Sequence, residues 1–203
     1  SQPYTGSGQY LRELLRHLPD AAADLEIHVF SPVDAELPPG CCIHVFKTSL
    51  SGIDKVLFEQ WHFRRLVNHI GADLLHVPYW APPLRSPLPF VVTVHDIIPL
   101  MLPEYRGSIG DRLYTAMVSA ATQGAEMVIA DSYSSRSDLL SHLHLPNDQV
   151  RVIHLSVGQQ YQPSDSIDVD PDICRRYGLS QNYVLYLGGF HHRKNVHRLL
   201  EAW

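Results

Sequence analysis

Between residues 73 and 155 the chain repeats a pattern that few folds accept: short, continuous apolar runs separated by loops and helical periods. Runs at 73–77, 90–94, 127–130 and 150–155 read as strands, with a proline-punctuated loop after the first. Helical periods at 109–123 and 135–143 separate the later runs. Strands alternating with helices at this spacing form βαβ units, and those units require a largely parallel sheet. Phe-Val-Val-Thr-Val at 90–94 and Met-Val-Ile-Ala at 127–130 lack polar alternation, as strands covered on both faces do. The expected fold class is α/β.

The flanking segments extend this organisation. Leu11, Leu14, Leu15 and Leu18 recur at helical spacing within 8–18, behind a loop that holds Gly6 and Gly8. Strands are expected at 26–30 and 43–46. A helix is expected over 53–70, with Val56, Leu57, Phe63, Leu66, Val67 and Ile70 for its buried face. From 158 to 170 the sequence turns polar, as a linker does. A short helix at 171–177 closed by Gly178, a strand at 183–187, Gly188-Gly189 and a helix from about 195 follow. The expected domains are an N-terminal one over 1–158, a linker over 159–170 and the beginning of a second domain over 171–203. Because one strand and two helical pieces bury no core of their own, the chain is expected to be incomplete at its C-terminal end. The absence of an initial Met points the same way at the N-terminus.

Composition removes several function classes. Of 203 residues, 45% are apolar and 18% charged, as in ordinary soluble proteins. Lys and Arg total 16 against 21 Asp and Glu, and no basic stripe interleaves with aromatics, so no nucleic-acid partner is expected. No apolar run approaches the roughly 18–20 residues of a membrane-spanning helix. Cys41, Cys42 and Cys174 make no disulfide framework and suit a reducing compartment, so the expected location is cytoplasmic. Thirteen histidines raise the question of a metal. His191, His192 and His197 flank Arg193 and Lys194, whose charge repels a cation, and the strand around Cys41-Cys42-x-His44 sends its two thiols to opposite faces. No metal is expected. Neither a Walker A loop nor a G-x-S-x-G elbow is present, and Ser135-x-x-Asp138 reads as a helix capping box rather than a hydrolase nucleophile.

In an open parallel sheet, ligands bind beyond the carboxyl ends of the strands. Thr5-Gly6-Ser7-Gly8 opens a helix and reads either as a tight turn or as an anion cradle. His95, after the run at 90–94, suits a strand-end cap or a contact to a sugar hydroxyl, a phosphate or a moving proton. Arg193 and Lys194 stand side by side at a helix start, opposing the macrodipole. A bound diphosphate would account for them, and so would an ordinary solvated pair. Tyr79 and Trp80, in a proline-rich loop, offer faces for a sugar or lipid, or simply pack. The apolar stretch 98–103 beside the same mouth has the same two uses.

Taken in order, these residues resemble a known family. Gly6-Ser-Gly-Gln-Tyr-Leu-Arg-Glu-Leu, His76-Val-Pro-Tyr and Val92-Thr-Val-His-Asp-Ile-Ile-Pro are followed by Ala130-Asp-Ser-Tyr-Ser-Ser-Arg-Ser-Asp-Leu. Tyr183-Val-Leu-Tyr-Leu-Gly-Gly and Arg193-Lys-Asn-Val-x-x-Leu-Leu-Glu-Ala complete the set. The set spans almost the whole chain and is similar to the N-terminal part of a GT-B glycosyltransferase of the retaining family 4. That resemblance implies Rossmann-like, doubly wound parallel sheets in two domains facing a cleft, the first of them acceptor-side. It implies a nucleotide-diphosphate sugar as donor and neither metal nor cofactor. By the same resemblance, Gly6 and Gly8 line the cleft near the diphosphate, His95 contacts the transferred sugar, and Arg193 and Lys194 hold the diphosphate as charge develops on it. Tyr79, Trp80 and Asp96 are the acceptor-side candidates.

The expected activity is transfer of a hexose, mannose among the candidates, to a saccharide or lipid-linked glycan with retention, as in bacterial surface polysaccharide assembly. Peripheral association with the inner membrane face goes with a lipid-linked acceptor. Many family members place a basic residue after the first glycine of the strand-end loop, where this chain has Gly189 and Phe190. A leading strand before Gly6 and an acidic donor-gripping motif after Trp203 belong to the family pattern, so the 203 residues alone are expected to be inactive. The alternatives are a noncatalytic GT-B-like scaffold that binds nucleotide or glycan, and a GT-B epimerase or phosphorylase.

Overall fold

The apolar runs do pair in parallel. β1 (Ile27–Ser31) lies beside β2 (Cys41–Val45), in register from Ile27 opposite Cys41 to Ser31 opposite Val45. β3 (Leu75–Val77), β4 (Phe90–Val94), β5 (Met127–Ala130) and β6 (Val150–Val152) form a second parallel sheet in that order. This computed structural model describes residues 5–31, 36–46, 56, 60, 63–158, 161, 171–179 and 183–203. The chain divides into two compact units, Ser1–Gly158 and Gln159–Trp203. Both sheets belong to the first unit. With flanking helices they make the α/β, Rossmann-like arrangement expected from the strand–helix alternation.

Burial explains why the central strands read as unbroken apolar runs. Val92 and Val94 of β4 and Val128 and Ala130 of β5 are all 0% exposed. Helix α1 (Gly6–Ala21) opens the unit, and α2 (Phe63–Ile70) precedes β3. After β4 come α3 (Ile98–Met101) and α4 (Ile109–Thr122), and α5 (Tyr133–Leu143) joins β5 to β6. Leu139 and Leu143 of α5 enter the same core as Val128 and Val150. Each such side chain, fully buried, contributes about 1.5–3 kcal/mol.

Local sequence sets the helix ends, with one departure. Ser108 and Asp111 form a reciprocal capping box at the start of α4. For α5 the cap is Ser132 rather than Ser135: Ser132 is extended (φ −152°, ψ 163°), and its hydroxyl accepts from the Ser135 amide at 3.1 Å. Ser135 is therefore already helical, and the expected Ser135-x-x-Asp138 box does not form. β6 ends at Val152, short of the expected 155, because its neighbour β5 ends at Ala130, the partner of Val152. Of the helix expected over 53–70, residues 53–55, 57–59, 61 and 62 lie outside the described residues.

The second unit holds α6 (Pro171–Tyr177), a 3-10 turn at His192–Lys194 and α7 (Val196–Ala202). The run at 183–187 is not a strand here. A ladder needs a neighbour, and the described residues of this unit contain no second strand. The expected linker lies outside the described residues except for Tyr161. Among the described residues, no helix is long and apolar enough to cross a membrane.

Candidate active site

The pairing of β4 with β5 builds the most polar point of the sheet. Val94 is in register with Ala130, so the next residues, His95 and Asp131, leave the carboxyl edge side by side. Imidazole Nδ1 and carboxylate Oδ2 stand 2.7 Å apart, a short bond in which the ring N–H donates. His95 is thus held by a side chain, not used as a backbone cap. Its Nε2 and the Asp131 Oδ1 are both buried with no hydrogen-bond partner among the described residues. Buried polar atoms are nearly always paired, so two such atoms on one pair of side chains single the pair out.

The surroundings fix this pair from several sides. The Ser135 hydroxyl donates to the His95 carbonyl at 3.3 Å, and His154 Nδ1 donates to the Asp131 carbonyl at 3.1 Å. The Tyr10 ring stands edge-on to the imidazole, centroids 5.1 Å apart and planes at 80°. Tyr10 comes from the first turns of α1, which brings the Gly6–Gly8 segment to the same edge.

Beneath lies a second polar group inside the core. Thr93 is 0% exposed, and its hydroxyl meets Tyr10 Oη at 3.0 Å and His76 Nε2 at 2.9 Å. Burial raises the Tyr10 phenol pKa above its ordinary value. The Thr93 bond partly opposes that rise, and the nearby Asp131 charge adds to it. Burial lowers the His76 pKa, which favours its neutral ring.

The other expected residues take distinct positions. Gly8 is buried, and its amide donates to the Thr5 hydroxyl capping α1 at 3.2 Å. Gly6 is exposed, and a Cβ added there would meet nothing within 4 Å. Asp96 is exposed, its carboxylate accepting from the Ile98 amide at 3.2 Å. Trp80 is partly buried against the core, and its indole N–H donates to Thr122 Oγ1 at 3.0 Å. Tyr79 is half-buried in the same loop, its carbonyl accepting from the Ala81 amide at 2.8 Å. A cavity of about 210 Å³ beside the site is lined by Asp96, Ser135 and Asp138 as well as by apolar residues such as Ile97, Met101 and Leu139. It is below the roughly 300–1,000 Å³ of small-molecule sites and too small for a nucleotide sugar.

In the second unit, Arg193 and Lys194 share the 3-10 turn and are exposed. Asn195, at φ 50°, turns the chain into α7. Gly188 sits at φ +153°, a backbone conformation that L side chains rarely adopt, so this turn favours glycine. The structure brings His95, Tyr10 and Asp131 together in the first unit and sets Arg193 beside Lys194 in the second. Among the described residues, no group of three or more His, Cys, Asp or Glu side chains is arranged to hold a metal.

Sequence reading missed Asp131, Tyr10, Thr93 and His76. Thr93 carried a signal, being the polar residue in an otherwise apolar run. Asp131 carried another, since it follows a buried strand just as His95 does.

A Rossmann-like unit with a histidine–carboxylate pair at the carboxyl edge of its sheet belongs to the ligand-binding α/β class. Residues 4–158 match the family model of Glycosyltransferase Family 4, and the chain belongs to that family. It is similar to the O-antigen chain mannosyltransferase B of Escherichia coli, 29% identical over 114 residues, which is 56% of this chain and 30% of that protein. It is also similar to the serotype-specific mannosyltransferase WbdA of Escherichia coli, 27% identical over 124 residues, 60% of this chain and 15% of that protein. The chain thus spans less than a third of the length of these curated relatives.

Proposed function

We propose that the protein moves a hexose, mannose in the first instance, from a nucleotide-diphosphate sugar to a saccharide or lipid-linked glycan, with retention and without a metal. The observation that carries this reading is the family match over residues 4–158. Mannose is chosen because the similar Escherichia coli proteins are mannosyltransferases. In the reaction the acceptor hydroxyl attacks the anomeric carbon on the face the diphosphate leaves. The carbon–phosphate oxygen bond breaks, and the acceptor proton passes to the departing diphosphate. His95 bonds the transferred sugar, and Gly6 and Gly8 lie near the diphosphate at the start of α1. Arg193 and Lys194 hold the diphosphate and stabilise its growing charge. Tyr79, Trp80 and Asp96 serve the acceptor side. With a lipid-linked acceptor, the protein works in the cytoplasm at the inner membrane face.

Thermal unfolding of the complete reading frame with GDP-, UDP- and ADP-sugars tests this. One nucleotide sugar at about 100 times its dissociation constant stabilises by about 2.7 kcal/mol. Arg193→Ala and Lys194→Ala each cut turnover by roughly 100-fold or more while the fold survives, as both side chains are exposed. No stabilisation by any nucleotide sugar overturns the reading. Full turnover in both variants overturns the diphosphate assignment.

A further inference from the structure

We infer that Asp131 is a positioning residue that locks His95 in the tautomer protonated at Nδ1, so that Nε2 meets its ligand as a hydrogen-bond acceptor. The inference rests on the transfer reading above and adds to it which chemical group of the substrate the pair recognises.

The argument begins with the 2.7 Å contact between Nδ1 and the Asp131 carboxylate. An ionised carboxylate only accepts, so Nδ1 carries the hydrogen, and in the neutral ring Nε2 is left with a lone pair. The arrangement is held rigid. Ser135 bonds the His95 carbonyl, His154 bonds the Asp131 carbonyl, and the Tyr10 ring closes one side of the imidazole. The Arg136 guanidinium, on the same helix, is turned away to the Val150 and Asn147 carbonyls. The atoms of this pair left buried without a partner among the described residues are then Nε2 and Asp131 Oδ1, both acceptors when the ring is neutral. Two acceptors beside a negative charge match a ligand that brings O–H donors. A phosphate brings only acceptors and more negative charge. The pair therefore reads hydroxyl groups of a neutral sugar, not the diphosphate. Asp131→Asn removes the lock, because an amide presents either an oxygen or an N–H to Nδ1.

Nitrogen-15 imidazole NMR of the full chain reads the tautomer directly, with His95 assigned by its loss in His95→Gln. At about pH 8 the wild-type ring shows protonated Nδ1 and unprotonated Nε2, as the Nδ1 contact to the carboxylate requires. In Asp131→Asn and Asp131→Ala it shifts toward protonated Nε2. A wild-type ring protonated at Nε2 overturns the proposal without any variant, and so does an unchanged tautomer in both variants. In the complete reading frame, Asp131→Asn lowers kcat for sugar transfer by roughly 10–100-fold, the scale typical of a group that orients a working side chain. Inhibition by the nucleoside diphosphate alone stays unchanged. If that inhibition weakens in parallel, the pair contacts phosphate and the hydroxyl assignment fails. A correct tautomer with no sugar transfer leaves the positioning intact and sinks the transfer reading. Transfer with an indifferent tautomer does the reverse.

Discussion

Replacing Thr93 by valine keeps shape and β preference while deleting one hydroxyl, and the structure says what that deletion leaves behind. Thr93 is fully buried, and its Oγ1 is bonded to both Tyr10 Oη and His76 Nε2, at 3.0 and 2.9 Å. Each of these bonds contributes about 1 kcal/mol net, and a buried polar atom left without a partner costs about 1–3 kcal/mol. Tyr10 is half-buried and regains some water, so its share falls at the low end. His76 lies deeper and loses more. Together they put the cost near 2–3 kcal/mol, or roughly 5–10 °C in melting temperature for a chain of this size. Urea unfolding of wild type and Thr93→Val measures it, with an unchanged slope showing that only stability moved. A double-mutant cycle with Tyr10→Phe isolates the tyrosine part. Alone, Tyr10→Phe costs about 1 kcal/mol; in the valine background it costs close to nothing, because the hydroxyl has already lost its partner. A Thr93→Val protein within about 0.5 kcal/mol of wild type refutes the reasoning, since that is the scatter of ordinary surface changes.

Two further outcomes follow from the same region. Because burial lowers the His76 pKa, the unfolded chain binds a proton that the folded one refuses. This contribution is therefore intact above about pH 6.5 and lost as pH falls through that value. Urea midpoints at about pH 7.5 and 5.5 differ accordingly, and His76→Gln narrows the difference; an equal pH response in the two proteins rules the assignment out. Ser132→Ala removes the cap of α5 and costs about 1 kcal/mol, whereas Asp138→Asn costs far less; equal losses in thermal melts would restore the capping box expected at Ser135.

The parts of the fold legible in the sequence are those whose burial is complete. β4 and β5 stand where their apolar runs predict, because a strand covered on both faces leaves no polar position to blur its ends. The run at 183–187 is likewise apolar and aromatic yet forms no ladder, for strand propensity describes a residue's fit to a sheet and says nothing of whether a neighbour is there. The start of α5 differs from the expected one for another reason. Ser132, Ser134 and Ser135 are equally good caps by type, and only the backbone at Ser132 decides among them.

The site was half legible, and the missing half lies in the pairing. His95 stands out as a polar residue after a buried strand; Asp131 meets the same description and also directly precedes the serine that caps α5. Both descriptions hold at once: Ser132 caps α5, and Asp131 is left free to face the neighbouring strand. What joins it to His95 is the register of β4 on β5, with Val94 opposite Ala130. Parallel strands carry same-level residues to the same edge, so a slip of one residue would set Ser132 beside His95 and turn Asp131 to the opposite face. Thr93 is subject to the same logic, since it gathers Tyr10 and His76 from 83 and 17 residues away. The pair at the sheet edge is therefore a property of the register, and the buried apolar faces of β4 and β5 that enforce this register are what hold the chemistry in place.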